Sequence, residues 1–249
     1  MFKKAILATA ITLFSTHSMA LDLGGALKTS GGGLLKAGTI TQEEVIGRSK
    51  AAAKHLDAEN KINKKQTARL NQLVKKLTLP KMKGVNFNFK VYETDADDIN
   101  AFAMPDGTIR FHSGLMAAMN DDQVLAVLGH EIGHVANKHS FKQMRKTLLT
   151  NAAIRGAASQ SAAATTAYNA GAGEIAEKFA SASYSKADEY QADKYAVNTL
   201  NKSGENPEAM GDAIKVLKEK FGNGGGIMST HPSNEKRIKR INKAISKLK

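Results

Sequence analysis

Two histidines and a glutamate in one five-residue stretch could hold and use a metal ion. His130 and His134 stand four positions apart, and Glu131 follows the first of them, which makes an HExxH pattern. On an α-helix, residues four apart lie on one face about 5–6 Å from each other, so both imidazoles can reach one cation. Zinc favours imidazole nitrogens, and its catalytic sites keep a position open for water. The pattern therefore predicts one Zn²⁺ per chain, with Glu131 as the general base that takes a proton from that water.

A catalytic zinc site needs a third protein ligand, for which the sequence offers several side chains. His112 and His139 are candidates, but His139 follows His130 by nine residues and would lie on the opposite side of a continuous helix. That position predicts a surface group or a hydrogen-bond partner of a ligand. Glu189 and Asp193, again four residues apart, could instead supply one ligand and one carboxylate that accepts a hydrogen bond from a zinc histidine. An ordinary exposed acidic helix face explains their spacing equally well.

The residues before this stretch predict the helix that positions it. Asn120 is a suitable N-cap, and Asp121 with Asp122 would occupy the first turn, where the helix dipole favours negative charge. Apolar side chains then recur at helical spacing from Val124 to Val135. The two histidines are therefore expected on a largely buried helix.

Strand patterns precede that helix, and further helical patterns surround it. Residues 86–93 alternate apolar and polar side chains, and strands are expected at 101–104 and 108–112 on either side of a Pro105-Asp106-Gly107 turn. The expected helices run from a Thr41–Glu44 capping box to about Leu77, through Glu189 to about Asn201, from Pro207 to Phe221, and over about 233–248.

Residues 151–183 lie between the two segments that carry the candidate ligands. They consist mainly of alanine, glycine, serine and threonine. Such a composition suits either a mobile lid over the site or close-packed helices of small residues. Both alternatives stay open from the sequence.

Four sequence blocks, in a fixed order, resemble the gluzincin zinc metallopeptidases that include HtpX and the CaaX prenyl proteases. The blocks are Asn100-Ala101-Phe102-Ala103 followed by Gly114-Leu115-Met116, then HEIGHVANKH, then EYQAD, and finally Thr230-His231-Pro232-Ser233 with Arg237. Within that family the chain is most similar to small periplasmic members of the LoiP type. The resemblance implies an α+β fold, namely a mostly helical zincin-type metallopeptidase domain with a small antiparallel sheet packed beside the HExxH helix.

The resemblance also implies a role for each matched residue near the metal. His130, His134 and Glu189 would be the zinc ligands, and Glu131 would be the general base. Asp193 would accept a hydrogen bond from a zinc histidine.

Two further segments receive roles from the same resemblance. His231 would reach the active site, where it could stabilise the oxyanion of the tetrahedral intermediate, although a loop histidine before proline can also be an ordinary surface group. The residues that would bind substrate as an added β-strand are Asn100, Ala101, Phe102 and Ala103. One departure is Lys186, which stands where the family often has arginine and would weaken any bidentate carboxylate contact made there.

Residues 1–20 have the layout of a secretory signal peptide. Lys3 and Lys4 supply positive charge, an apolar run extends to Phe14, and Ser18-Met19-Ala20 suits cleavage after Ala20. The run is much shorter than the roughly 20 residues that span a bilayer. The chain has no cysteine, and therefore no site for lipoprotein acylation or disulfides. We expect a periplasmic protein with no lipid anchor and no transmembrane helix, made of a flexible glycine-rich segment at 21–40 and one metallopeptidase domain at 41–249.

The formal net charge of +13 bears on the partners of the protein. Basic residues concentrate between Lys54 and Lys83 and again from Lys236 to Lys249, which suits peripheral contact with an anionic membrane surface but also an ordinary solvated surface. Nucleic acid is not expected, because the chain carries an export signal and no recognisable binding motif.

The expected activity is that of a zinc endopeptidase in protein quality control of the cell envelope. Its substrates would be unfolded or damaged envelope proteins, held as extended chains. The alternative is a chaperone-like binding or assembly factor with a latent zinc site. A zinc amidase acting on cell-wall peptides is a weaker candidate, because the strand hairpin suits extended polypeptide better.

Overall fold

The computed structural model describes residues 40–158, 172–180, 183–222, 227–231 and 235–248. Its strands are β1 (Asn88–Tyr92), β2 (Ala101–Ala103) and β3 (Thr108–His112). From residue 40 onward, the helices that precede the sheet are α1 (Gln42–Glu59) and α2 (Lys64–Val74). The helices that follow are α3 (Ser113–Ala118), α4 (Asp121–Ala136), α5 (His139–Ala158), α6 (Ala172–Ala180), α7 (Lys186–Lys202), α8 (Ala209–Phe221), α9 (Ile227–Thr230) and α10 (Glu235–Ile245). The expected α+β class with mostly helical structure is confirmed.

The sheet is mixed, and the expectation of an antiparallel sheet was wrong for one of its strands. β3 is central in the order β1-β3-β2, with β2 antiparallel to it and β1 parallel to it from Asn88↔Thr108 to Tyr92↔His112. The connection at 93–100 passes the carboxyl end of β3, where the Thr94 N–H donates to the Ser113 hydroxyl. Alternating side chains predict a strand but not which strand it pairs with. The sequence pattern therefore did not predict that β1 pairs with β3 in parallel.

The hairpin of β2 and β3 forms at the predicted turn. Gly107 has φ +92°, a left-handed conformation that glycine adopts without strain, and its N–H donates to the Met104 carbonyl over 3.0 Å. A Cβ at this position would lie 2.8 Å from the backbone of Asn86. The buried Asp106 carboxylate accepts a hydrogen bond from the Ser49 hydroxyl over 2.7 Å, so α1 holds the turn in place.

α1 and α2 each begin at a local capping signal. Thr41 and Glu44 form the expected capping box at the start of α1. Asn63 begins α2 by accepting a hydrogen bond from the Gln66 N–H, because asparagine at this position satisfies an N–H that the helix leaves unpaired. Helical structure ends at Val74 in α2, slightly before the expected boundary near Leu77.

The helix that carries the HExxH pattern lies at the centre of the core. Asn120 caps α4 with a capping box, and every residue from Val124 to Val135 is buried. One hydrophobic cluster joins α4 to the sheet, α7 and α8. A second cluster places Phe102 and Met104 against α1, α5 and α6, with Ile175 buried among them. The expectation of a largely buried helix is confirmed.

Within the segment at 151–183, residues 151–158 and 172–180 are helical. α5 continues to Ala158, and α6 packs on α1 and α5. Residues 159–171 and 181–182 lie outside the described residues, as do residues 1–39 with the expected signal peptide and nearly all of the glycine-rich segment. In the part of the chain that is described, no helix combines the length and apolar character needed to cross a membrane.

Candidate metal centre

Four buried side chains from three segments converge on one point. His130 and His134 come from α4, Glu189 comes from α7, and His231 follows α9; one ligand atom of each lies within 4.8 Å of the others. The Nε2 atoms of His130 and His134 are 3.0 Å apart, and Glu189 Oε1 lies 3.3 Å from His134 Nε2. His231 Nδ1 lies 3.0 Å from the same carboxylate oxygen. None of the four residues is more than 3% exposed.

Two glycines on α4 allow α7 to come close enough to deliver Glu189. A Cβ on Gly129 would lie 3.3 Å from the Ala196 Cα. One on Gly133, within the HExxH pattern itself, would lie 3.1 Å from both the Cα and the carbonyl oxygen of Ala192. A Cβ ordinarily needs more room than this, so α4 and α7 can approach this closely only because both positions on α4 lack a side chain. The sequence prediction took no account of this role of the glycines.

His130 is oriented by a carboxylate that an arginine holds in turn. Its Nδ1 lies 3.0 Å from Asp193 Oδ1, so a proton on Nδ1 donates to Asp193 and the Nε2 lone pair faces the centre. Buried Arg237 donates to both oxygens of Asp193, over 2.6 and 2.8 Å. It also pairs with Glu189 Oε2 over 2.7 Å and donates to the His231 carbonyl. One guanidinium therefore links α10 to Glu189 and Asp193 of α7 and to the histidine segment.

Burial and neighbouring charges lower the pKa of two acidic groups near the centre and raise the pKa of a third. Burial opposes the charge of Glu189, but His231 and Arg237 outweigh it and hold its pKa well below the usual value. Burial likewise opposes ionisation of Asp193, and Arg237 again lowers its pKa. For Glu131 burial prevails, so its pKa is raised. Glu189 and Asp193 are therefore anionic at neutral pH, whereas Glu131 holds a proton more readily, as suits a base.

Glu131 lies beside the ligand atoms with no exposure to solvent. Within the described residues, neither of its carboxylate oxygens has a hydrogen-bond partner. His231 could form an ion pair with Glu131 when its imidazole is protonated, because its Nε2 lies 3.6 Å from Glu131 Oε1. Burial lowers the pKa of His231, but Glu189 and Glu131 outweigh it and raise the pKa overall. An orphaned buried carboxylate needs a partner, and a water held beside it would supply one.

The donor set fits a zinc ion. Two imidazole Nε2 atoms and one carboxylate are a common ligand set of catalytic zinc. Both nitrogens can present lone pairs, because each Nδ1 faces another polar group. His231 adds a fourth donor within reach of the same point.

Two neighbours of His134 were not assigned a contact with it from the sequence. The ring of Tyr184 stacks on His134 with centroids 3.8 Å apart, and the Tyr184 N–H donates to the Thr230 carbonyl. His139 Nδ1 lies 3.2 Å from His134 Nδ1. The prediction that His139 continues the zinc helix was wrong, because α4 ends at Ala136 and Lys138 has φ +60°, which turns the chain back. The expected alternative of a hydrogen-bond partner fits its position.

The remaining candidates lie outside the metal cluster. His112, at the end of β3, pairs with Asp98 over 2.9 Å. Lys186 is exposed at the first position of α7, and the buried bidentate contact to a carboxylate is made by Arg237 instead.

The predicted substrate strand forms the edge of the sheet beside α4. Ala101 and Ala103 are fully buried, backbone included, and Phe102 is 7% exposed. The His112 N–H donates to the Asn100 carbonyl and the Met104 N–H donates to the Thr108 carbonyl, so alternate residues face β3. By this alternation the backbone of Ala101 and Ala103 points away from β3. The Ile227 N–H, four residues before His231, donates to the Ile99 carbonyl just before this edge.

A zinc-type donor set on two packed helices, with a glutamate held beside it, is the arrangement of a zincin metallopeptidase. The sequence profile of peptidase family M48 matches residues 62–245, and the chain belongs to that family. The resemblance to gluzincin peptidases is thereby confirmed, and the protein is a metalloendopeptidase.

Individual relatives support the same class. The chain is 31% identical to "Metalloprotease LoiP" of Escherichia coli K12 over 245 residues, which cover 97% of this chain and 96% of that protein. It is 31% identical to "Metalloprotease YcaL" of the same organism over 236 residues, or 93% of this chain and 91% of that one. The "Beta-barrel assembly-enhancing protease" of Yersinia pestis is 28% identical over 229 residues, or 88% of this chain and 46% of its own length.

Proposed function

We propose that the protein is a zinc-dependent endopeptidase of the cell envelope that hydrolyses peptide bonds of misfolded or damaged proteins. The observation that carries the proposal is the convergence of His130 Nε2, His134 Nε2 and the Glu189 carboxylate, with Glu131 buried beside them. A zinc ion at this point would polarise the scissile carbonyl and lower the pKa of water towards neutrality.

Each residue of the centre has a task in this proposal. Glu131 takes a proton from water at a carboxylate oxygen and passes it to the leaving nitrogen, for which its raised pKa is suited. Asp193 accepts the Nδ1 proton of His130 and keeps its Nε2 free. His231, whose pKa is raised, donates a hydrogen bond to the developing oxyanion.

The edge strand gives the proposal its substrate class. An extended peptide would pair with the backbone of Ala101 and Ala103, on the strand that packs on α4, once the segment that buries both residues has moved. Backbone pairing holds a polypeptide without reading its sequence closely. Unfolded proteins present such segments and folded proteins hide them, so damaged proteins are the preferred substrates.

The envelope setting is supported by the N-terminal sequence and by one relative. Residues 1–20 have the pattern of an export signal cleaved after Ala20, which would place the protein in the periplasm. The Yersinia pestis relative is named for enhancing β-barrel assembly, and we extend a role in envelope protein quality to this chain. Peripheral contact with anionic membrane is part of the proposal, supported by exposed basic residues of α10, namely Lys236, Lys239, Arg240 and Lys243.

One observation favours a second function, a binding or assembly factor with a latent zinc site. Glu131 is fully buried, and His231 stands where a fourth donor could close the coordination of the metal. Catalytic zinc sites have three protein ligands and water. Hydrolysis therefore requires His231 to leave the fourth coordination position to water, whereas binding of an unfolded chain does not.

Cleavage of casein by the purified, zinc-loaded protein tests the choice between the two. The matched control is Glu131→Gln, which keeps the shape of the side chain but removes the base, so we expect zinc to stay bound and cleavage to fall by at least about 100-fold. Cleavage by the parent alone would support the peptidase. Equal cleavage by both proteins would remove Glu131 as the base, and stable casein binding without cleavage by either would favour the second function.

A further inference from the structure

A line of polar side chains leads from His134 away from the metal cluster towards the surface of α7. His139 is the first residue of α5 and is 2% exposed. Its Nδ1 lies 3.2 Å from His134 Nδ1. Its Nε2 lies 3.1 Å from Gln191 Oε1 and 3.4 Å from Asp188 Oδ1. Both partners stand on α7, within two residues of Glu189 in the sequence.

The chemistry of the outer end decides where the protons lie. A carboxylate oxygen and an amide oxygen only accept hydrogen bonds, so the Nε2 atom of His139 that faces them carries the proton. A neutral imidazole with a proton on Nε2 has a lone pair on Nδ1. The short contact between the two Nδ1 atoms is then a hydrogen bond donated by His134.

We propose that His139 is a positioning residue that holds His134 in the tautomer with a proton on Nδ1 and a free lone pair on Nε2. Gln191 and Asp188 hold His139 in its own tautomer. The inference rests on the proposed function, because it needs His134 to be a metal ligand. The opposite arrangement would place the proton on His134 Nε2, where it would compete with a metal.

The two metal histidines are thus oriented by partners of different charge. His130 donates to Asp193, a carboxylate held by Arg237, whereas His134 donates to a neutral ring. Tyr184 stacks on the face of His134 and limits its rotation, so His139 fixes the hydrogen bond and Tyr184 fixes the plane. A ligand oriented this way reaches the metal without adding negative charge to a site already rich in carboxylates.

The test compares His139→Leu with His139→Asn in the full chain. Leucine leaves the buried His134 N–H without an acceptor, whereas the asparagine amide oxygen can take the place of Nδ1. We expect zinc affinity, measured by competition with a chelator, to fall about 10–100-fold for His139→Leu and less than tenfold for His139→Asn. In the metal-free protein, ¹⁵N NMR of the imidazoles should show His134 protonated on Nδ1 in the parent and in His139→Asn, and a shift towards Nε2–H in His139→Leu.

Three further variants separate the possible failures. Gln191→Leu removes an outer acceptor at an exposed residue, so it should fold and lose affinity in the same direction even if His139→Leu does not fold. Lys194→Ala, exposed on the same helix, is the matched control and should bind zinc as the parent does. His134→Ala should lose zinc; if it binds zinc like the parent, the ligand assignment of the proposed function falls and the inference with it. The inference is overturned, with the proposed function intact, if folded His139→Leu keeps the parent's zinc affinity and the parent's His134 tautomer. If His139→Leu does not fold, the same result in Gln191→Leu overturns it.

Discussion

At the scale of single residues, the centre holds more negative than positive charge. Glu131, Glu189 and Asp193 are buried together, and Arg237 is the guanidinium that faces them. When all three carboxylates are ionised, two negative charges remain unbalanced by the arginine, which is the charge a divalent cation would neutralise. In the metal-free protein, burial raises the pKa of Glu131, and Glu189 and Glu131 raise the pKa of His231 against the effect of burial, so protons on these two groups reduce that excess. The charge pattern therefore favours a divalent ion independently of the ligand geometry.

A second buried arginine outside the centre gives a prediction about stability. Arg110, on β3, is 2% exposed and donates to both carboxylate oxygens of Asp57 on α1, over 2.8 and 2.9 Å. Asp57→Asn would leave this guanidinium buried without a counter-ion. We expect the free energy of unfolding at pH 7 to fall by about 2–4 kcal/mol, somewhat less than for a fully buried pair because Asp57 is partly exposed. Urea denaturation of parent and variant measures the difference.

The same pair predicts a dependence on pH. Burial opposes ionisation of Asp57, but hydrogen bonds from Arg110 and Lys90 outweigh it and lower its pKa. The stabilisation is therefore complete above the ordinary aspartate pKa of about 4 and declines as the pH falls below it, since the unfolded chain takes the proton first. The difference between parent and Asp57→Asn should shrink below about pH 4; a difference that stays constant to pH 2 would contradict the assignment.

Sequence reasoning located residues near the centre when their signal was local. The four-residue spacing within each helix predicted that His130 and His134 would face together, as would Glu189 and Asp193. Arg237 was noticed only as part of a family block, because its contacts reach 44 residues back along the chain. The periodicity of the sequence does not predict a contact between Arg237 and α7, because this contact forms only when α10 packs on α7.

At the scale of elements, the position of Glu189 depends on how closely α7 approaches α4. Gly133→Val would place side-chain atoms against the backbone of Ala192, where even a Cβ has only 3.1 Å. We expect α7 to be pushed outward, so that zinc affinity falls by at least about tenfold while the helical content remains. Metal competition and circular dichroism measure the two effects on the same sample.

The matched control for that variant is another helical glycine with open space. A Cβ on Gly47 in α1 would meet no atom within 4 Å. Gly47→Ala should raise the free energy of unfolding by about 0.4–1 kcal/mol, because alanine restricts the unfolded chain, and should leave zinc binding unchanged. Unchanged zinc affinity in Gly133→Val would show that close helix contact is not what positions Glu189.

Helices and turns with local start and stop signals were predicted well. The packing of these elements against one another was not predicted. The capping box at Asn120 and the turn at Gly107 each follow from a few neighbouring residues. The place of β1 beside β3 and the turn at Lys138 follow from the packing of distant segments. Lys138 is a non-glycine residue in a left-handed conformation, which its residue type does not favour, so the break between α4 and α5 had no sequence signal.

At the scale of the whole molecule, the proposed envelope setting depends on the N-terminal sequence. If residues 1–20 are an export signal, the protein recovered from a Gram-negative periplasmic fraction should begin at Leu21. N-terminal sequencing and intact mass of the fractionated protein measure this. An intact chain beginning at Met1 and confined to the cytoplasmic fraction would contradict the proposed setting while leaving the metal centre unaffected.

The central claim is that side chains of α4 and α7 together hold one zinc ion for hydrolysis, and zinc content per chain tests it most directly. Inductively coupled plasma mass spectrometry on dialysed protein would compare the parent with Glu131→Gln and Glu189→Ala. We predict about one zinc per chain for the parent and for Glu131→Gln, and far less for Glu189→Ala, which lacks the carboxylate ligand. A parent protein that retains no zinc, or a Glu189→Ala protein that retains the full amount, would contradict the account.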